Sequence, residues 1–133
     1  LKRRTDFIIA CLHFGKEFKT YPDRSQIRLM RLLFYNGVNV VLGAHPHVLH
    51  PIRMVRMKDI DGRVRNRIAA SSLGNFVSVE LPRHTARLRG AILRLTLTKK
   101  AKGITDVLKM SRVPTRILQN AGKKNVFRVV PDR

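Results

Sequence analysis

An α/β fold is predicted by three features that follow one another near the start of the chain. A short apolar run, FIIACL at residues 7–12, gives way to a segment whose apolar residues recur at helical spacing, and a second apolar run, NVVL, occupies residues 39–42. Two short apolar runs joined by an amphipathic helix are the pattern of a βαβ unit, in which the strands lie parallel and the helix covers one face.

The first run ends at His13 and Gly15, and its unbroken apolar character predicts a strand buried on both faces. In the stretch YPDRSQIRLMRLLFYNG, Asp23 followed three positions later by Gln26 has the form of a capping box. Ile27, Met30, Leu33 and Phe34 then mark one helical face, and Gly37 supplies the stop. The second strand ends at Gly43, where GAHPHVLHP begins.

Beyond Pro51, IRMVRMKDIDGRVRNRIAAS holds two basic, partly alternating segments around Asp61-Gly62, which predicts a β-hairpin. After the loop SSLGNF, the stretch GAILRLTLT sets Leu93, Leu95 and Leu97 on one face at period two, a half-buried strand. A turn over Lys99 to Gly103 leads into ITDVLKMSRVPT, a further strand running out to Pro114. The stretch from Asn120 onward is basic and weakly patterned, so little structure is expected there.

At 133 residues the chain is about one domain long. Its 28 Lys and Arg against 8 Asp and Glu give a net charge of +20, which points to an anionic partner or a very basic solvated surface. The arginines are scattered rather than gathered in one run, so no polybasic arm is present. The lone Cys11 excludes an intrachain disulfide and, lying in an apolar run, is expected to be a small buried thiol. No apolar run reaches the length of a transmembrane helix and no signal-peptide pattern appears. The first residues, Leu1, Lys2, Arg3 and Arg4, suggest numbering that begins inside a longer product.

Chemistry converges on the histidines. In a right-handed βαβ unit both strands end at the same sheet edge, where α/β proteins place ligands. His13 closes the first strand and His45 and His47 follow the second, so topology brings them together across 32 residues of sequence. Pro46 favours an extended backbone there, which would point His45 and His47 the same way, and Gly43 would permit a tight turn. Three imidazoles can form part of a zinc, manganese, iron or nickel site, or else rim an ordinary loop.

A two-metal hydrolytic site also needs carboxylates. Asp6 begins its strand at the wrong edge, and Asp59 and Asp61 read as hairpin-turn residues. Glu17, four positions after His13, is the nearest acid that can approach. His50 and His84 read as solvent-exposed, and Asn75 either caps the turn after Gly74 or points into the site. Ser71 and Ser72 lack a nucleophile-elbow frame, and no phosphate loop, dinucleotide fingerprint or zinc-finger spacing is present. Helix-turn-helix and RNA-recognition signatures are absent, so nucleic-acid binding would rest on charge alone.

Taken in order, CLHFGKEF, PDRSQIRLMRLLFYNGVNVVLGAHPHVLHPI, ASSLGNFV, RGAILRLTLT and VPT resemble the bacterial capsule-synthesis proteins of CapA type, which are linked to poly-γ-glutamate and belong to the calcineurin-like metallophosphoesterase superfamily. The likeness runs over residues 5–118, leaving 119–133 as a basic C-terminal tail. It implies part of a four-layer α/β sandwich with two divalent metals (Mn, Fe or Zn) at the strands' carboxyl ends. His13 and His45 would then bind one metal and His47 the other, with Glu17 and Asn75 standing behind the ligands or touching substrate.

The family's remaining ligands, an Asp-x-His pair, a bridging Asp and an Asn, come from an N-terminal half of the domain. This chain therefore resembles the C-terminal half, and in isolation it is expected to hold a partial metal site and to lack activity. Phe14, Phe18, Ala44 and Ser71 depart from the usual family residues, and Arg53 stands where an acid is common. The resemblance implies work on poly-γ-glutamate or a phosphoester, at the cell envelope or outside the cell. The alternative is a non-catalytic basic module that grips an acidic polymer or nucleic acid.

Overall fold

A computed structural model describes residues 5–77, 88–100, 104–119 and 126–132. The chain is mixed α/β, with a helix and two sheets among these residues. Strand β1 (Ile9–His13), helix α1 (Arg24–Tyr35) and strand β2 (Val40–Ala44) form the expected βαβ unit, with β1 and β2 parallel from Ile9↔Val40 to His13↔Ala44.

The helix starts as its sequence dictates. The Asp23 carboxylate accepts from the Gln26 backbone N–H at 2.9 Å, and the Gln26 side-chain oxygen accepts from the Asp23 N–H at 3.1 Å, so two donors of the first turn are satisfied reciprocally. At the other end the Gly37 N–H donates to the Phe34 carbonyl, and Val38 donates to Leu33. Met30 and Phe34 are buried against Val38 and Val41, with Leu33 packed beside them, while Ile27 remains exposed.

Strands β3 (Arg53–Lys58) and β4 (Val64–Ala70) make the predicted hairpin, closed around Asp59 to Arg63. Strand β4 also pairs in parallel with β2, giving a four-stranded sheet in the order β1-β2-β4-β3. A second, antiparallel sheet contains β5 (Arg89–Lys99), β6 (Thr105–Gln119) and β7 (Phe127–Pro131) in that order. Val40 and Ile68 from the first sheet pack with Val107, Leu93, Leu95 and Met110 from the second. The layers therefore run helix, four-stranded sheet, three-stranded sheet, with apolar contacts on both faces of the middle one.

Several expectations are corrected. Strand β1 is buried on one face only: Ala10 and Leu12 face the helix-side core, whereas Ile9 and Cys11 on the other face are exposed. The unbroken run was ambiguous because β1 is an edge strand and β2, with Val40 and Val41 fully buried, is the interior one. Leu97 is exposed rather than packed with Leu93 and Leu95, and it sits where the β5–β6 register shifts and β6 carries the extra residue Leu108.

Strand β6 does not end at Pro114. That residue pairs with Ala91, whose N–H is turned away to Leu73, so the β5 side asks no hydrogen bond of the proline; β7 pairing begins only at Thr115. The C-terminal stretch expected to lack structure contains β7, whose five residues FRVVP carry too short and irregular a pattern to announce a strand. His84 lies outside the described residues.

Candidate metal centre

Each loop at the carboxyl edge of the parallel strands is fixed by backbone bonds to its neighbour. After β1, the Phe14 N–H donates to the Ala44 carbonyl and the Phe18 N–H to the Pro46 carbonyl at 2.8 Å, so residues 14–18 run against 44–46. After β4, Leu73 donates to the Gly43 carbonyl, and the His50 N–H donates to the Ser72 carbonyl. A third loop is thus stitched to the same edge.

Gly43 makes this approach possible by its lack of a side chain, rather than by a tight turn. A Cβ there would collide with the Ser71 carbonyl and lie 2.9 Å from the Phe14 ring. Gln26 ties the same region to the helix: it is buried, and its amide donates to the Phe14 carbonyl at 3.3 Å. Gly15 adopts φ +102° directly over that amide, where any side chain would strike it.

The segment around Pro46 is not extended. His45 and His47 have φ of 100° and 60°, and Phe18 has φ of 64°. Such left-handed backbone in non-glycine residues costs about 1–3 kcal/mol each and persists only where the surroundings over-determine it. Here Pro46 is buried and its carbonyl is bonded, so the kinks on either side of it are locked. The two imidazoles converge because the backbone doubles back at both positions.

The resulting group is compact. Ligand atoms of Glu17, His45 and His47 all lie within 4.8 Å of one another, with His47 Nε2 4.0 Å from Glu17 Oε1. The His13 ring stands 4.7 Å, centroid to centroid, from that of His45, and Phe18 stacks on His47 at 6.0 Å. The Asn75 side-chain oxygen accepts from His47 Nδ1 at 3.0 Å, which places a hydrogen on Nδ1 and makes Nε2 the nitrogen that stands toward Glu17. Donors around a tetrahedral ion at roughly 2.1 Å stand about 3.4 Å apart, so half-exposed side chains need to close by little more than an ångström. Two imidazoles and a carboxylate suit a divalent cation such as zinc, iron or manganese.

Of the residues singled out from sequence, Glu17, His45 and His47 share one group, His13 lies against His45, and Asn75 stands behind His47. Asp6 is at the opposite edge, paired with Lys99, and Asp59 and Asp61 sit in the hairpin turn with Arg65. His50 is corrected outright. It is buried, with Nε2 2.8 Å from the Lys19 carbonyl and Nδ1 2.9 Å from Ser71 Oγ. The carbonyl can only accept, so Nε2 carries a hydrogen and donates to Lys19, while Nδ1 shares its bond with the Ser71 hydroxyl. The stacking of Phe18 on His47 and the bond from the Gln26 amide to the Phe14 carbonyl were not signalled by the sequence, since contacts at a loop are set by tertiary structure.

A family model described as "Bacterial capsule synthesis protein PGA_cap" matches residues 1–80. The PGA biosynthesis protein CapA of Bacillus subtilis (strain 168) is 32% identical over 76 residues, covering 57% of this chain and 18% of that protein. The capsule biosynthesis protein CapA of Bacillus anthracis is 25% identical over 130 residues, covering 96% of this chain and 29% of that protein. The chain spans less than a third of the length of either relative. No solved structure matches.

Proposed function

The chain belongs to the bacterial capsule synthesis family whose model it matches, and from that premise we propose that it serves the making or export of an anionic capsule polymer of the poly-γ-glutamate type. Its carboxyl-edge histidines hold divalent metal for that work. The observation that carries this reading is the grouping of Glu17, His45 and His47 within one ligand radius, with Asn75 orienting the His47 ring.

In this reading His45, His47 and Glu17 hold an ion, and His13, beside His45, extends the set toward a second. A divalent ion there supplies Lewis acidity toward a phosphoryl or carboxylate oxygen. The chain's own residues do the rest. Asn75 keeps the His47 hydrogen on Nδ1, Phe18 shields one face of the ring, and the Pro46 lock prevents the imidazoles from swinging apart. The helix and the two sheets are compatible with part of a metallophosphoesterase sandwich, and the reading sets the chain's work at the cell envelope. Glu17 is the carboxylate grouped with the histidines among the described residues, so this chain alone binds metal weakly and turns over phosphodiesters negligibly.

The second reading is a non-catalytic module that holds an acidic polymer by charge, favoured by the net charge of +20. Binding of poly-γ-glutamate separates the two. If the metal edge holds the polymer, a chelator releases it and His47→Ala abolishes binding at moderate salt. If charge alone holds it, rising salt releases it and the chelator does nothing.

A further inference from the structure

At the opposite edge from the histidines, the amino ends of β1 and β2 border a polar cavity of about 240 Å³ lined by Asp6, Ile8, Asn39, Arg63, Arg65 and Arg67, among others. From Ile8 to His13 is about 16 Å of extended strand, so this cavity and the metal centre are separate places. Arg67 is the unusual member. It is 1% exposed, and its Nη2 donates to Asp59 Oδ2 at 2.7 Å, yet its Nε and Nη1 find no acceptor among the described residues.

A buried guanidinium N–H without an acceptor costs on the order of a lost charged hydrogen bond, and most such groups in folded proteins are satisfied. The neighbouring carboxylates are already engaged: Asp59 by Arg65 and Arg67, Asp61 by both Arg65 amino nitrogens, Asp6 by Lys99, and Asp106, which also acts on Arg67 through space, by the Val107 N–H. We propose that this cavity is an oxyanion-binding site in which Arg67, Arg65 and the exposed Arg63 receive a phosphate or carboxylate group. Planar guanidinium donors suit either anion, and the space admits such a group with several waters. Burial drags the Arg67 guanidinium below its ordinary value, against the pull of Asp59. A bound anion offsets that penalty. The site does not depend on the metal reading.

Calorimetric titration of the full chain, with EDTA present to keep phosphate off the histidine edge, tests this. Inorganic phosphate and glutarate are the two probes. Saturable binding of at least one is expected, unchanged in His47→Ala and weakened about tenfold or more in Arg67→Lys and Arg63→Gln. Binding of phosphate alone identifies a phosphoryl ligand, and of glutarate alone a carboxylate. Should Arg67→Lys fail to fold, Arg63→Gln at the exposed mouth decides. No saturable binding of either probe, or binding indifferent to the arginine substitutions, overturns the proposal.

Discussion

The Asn75 side-chain oxygen lies 3.0 Å from His47 Nδ1, and this contact, made across 28 residues of sequence, decides which imidazole nitrogen is available for a metal. A ring free to choose its tautomer would present the wrong nitrogen part of the time. Removing the acceptor should therefore be felt at the ion without disturbing the fold. Asn75→Ala is expected to weaken divalent-metal affinity by about 10–100-fold, and Asn75→Asp to retain it, as measured by competition with a chelating dye. Equal affinity in all three proteins would show that Asn75 only shapes its turn.

The left-handed backbone at His47 leads to a second expectation, because glycine relieves a strain that alanine keeps. His47→Gly and His47→Ala should both lose metal, but the glycine variant should be more stable by about 1 kcal/mol in denaturant unfolding. At an ordinary φ the order would reverse.

His50 should behave differently from its neighbours. It is buried with both ring nitrogens bonded, so His50→Ala leaves the Lys19 carbonyl and the Ser71 hydroxyl without those partners and opens a cavity. A loss of about 2–4 kcal/mol in unfolding free energy is expected. A variant as stable as the parent protein would contradict the buried placement.

Gly43→Ala presses a methyl group into the Ser71 carbonyl, backbone that cannot yield without pulling the third loop off the edge. A loss of about 3 kcal/mol is expected, together with lost metal binding, because the Leu73 N–H to Gly43 carbonyl bond goes with it. Thermal unfolding and metal titration of the same sample check both halves.

The Asp23 carboxylate is held below its ordinary value, first by the Ser25 hydroxyl and then by the Gln26 backbone N–H. A carboxyl group with a lowered folded-state value stabilises above its unfolded value, and that contribution fades as pH falls through the folded one. The melting temperature of Asp23→Ala should therefore lie below that of the parent at neutral pH and approach it in acid. A gap that stays constant from neutral pH to acid would rule out the cap as its cause.

Much of this was legible in the sequence because it is local. The capping box, the apolar helical face, the Asp61-Gly62 hairpin and the two apolar strands each depend on residues a few positions apart. The meeting of His13 with His45 followed from βαβ topology. What escaped depends on distant partners. Ile9 and Cys11 are exposed because β1 is an edge strand, which no property of FIIACL reveals. The burial of His50 is made by Lys19 and Ser71, 31 and 21 residues away. The histidines converge through positive φ at His45 and His47, a conformation that the His-Pro-His sequence argues against and the loop contacts impose. Arg67 looked like one scattered surface arginine until the hairpin folded it inward onto Asp59.

The central claim is that the carboxyl edge of the sheet is a metal centre. Its most direct test is manganese or zinc binding by calorimetry, comparing the parent protein with His45→Ala and His47→Ala and monitoring the fold by circular dichroism. The account predicts weak but saturable binding by the parent at high metal concentration, lost in both variants while their spectra stay unchanged. Saturable binding that survives both substitutions, or a parent protein that binds neither ion, would contradict it.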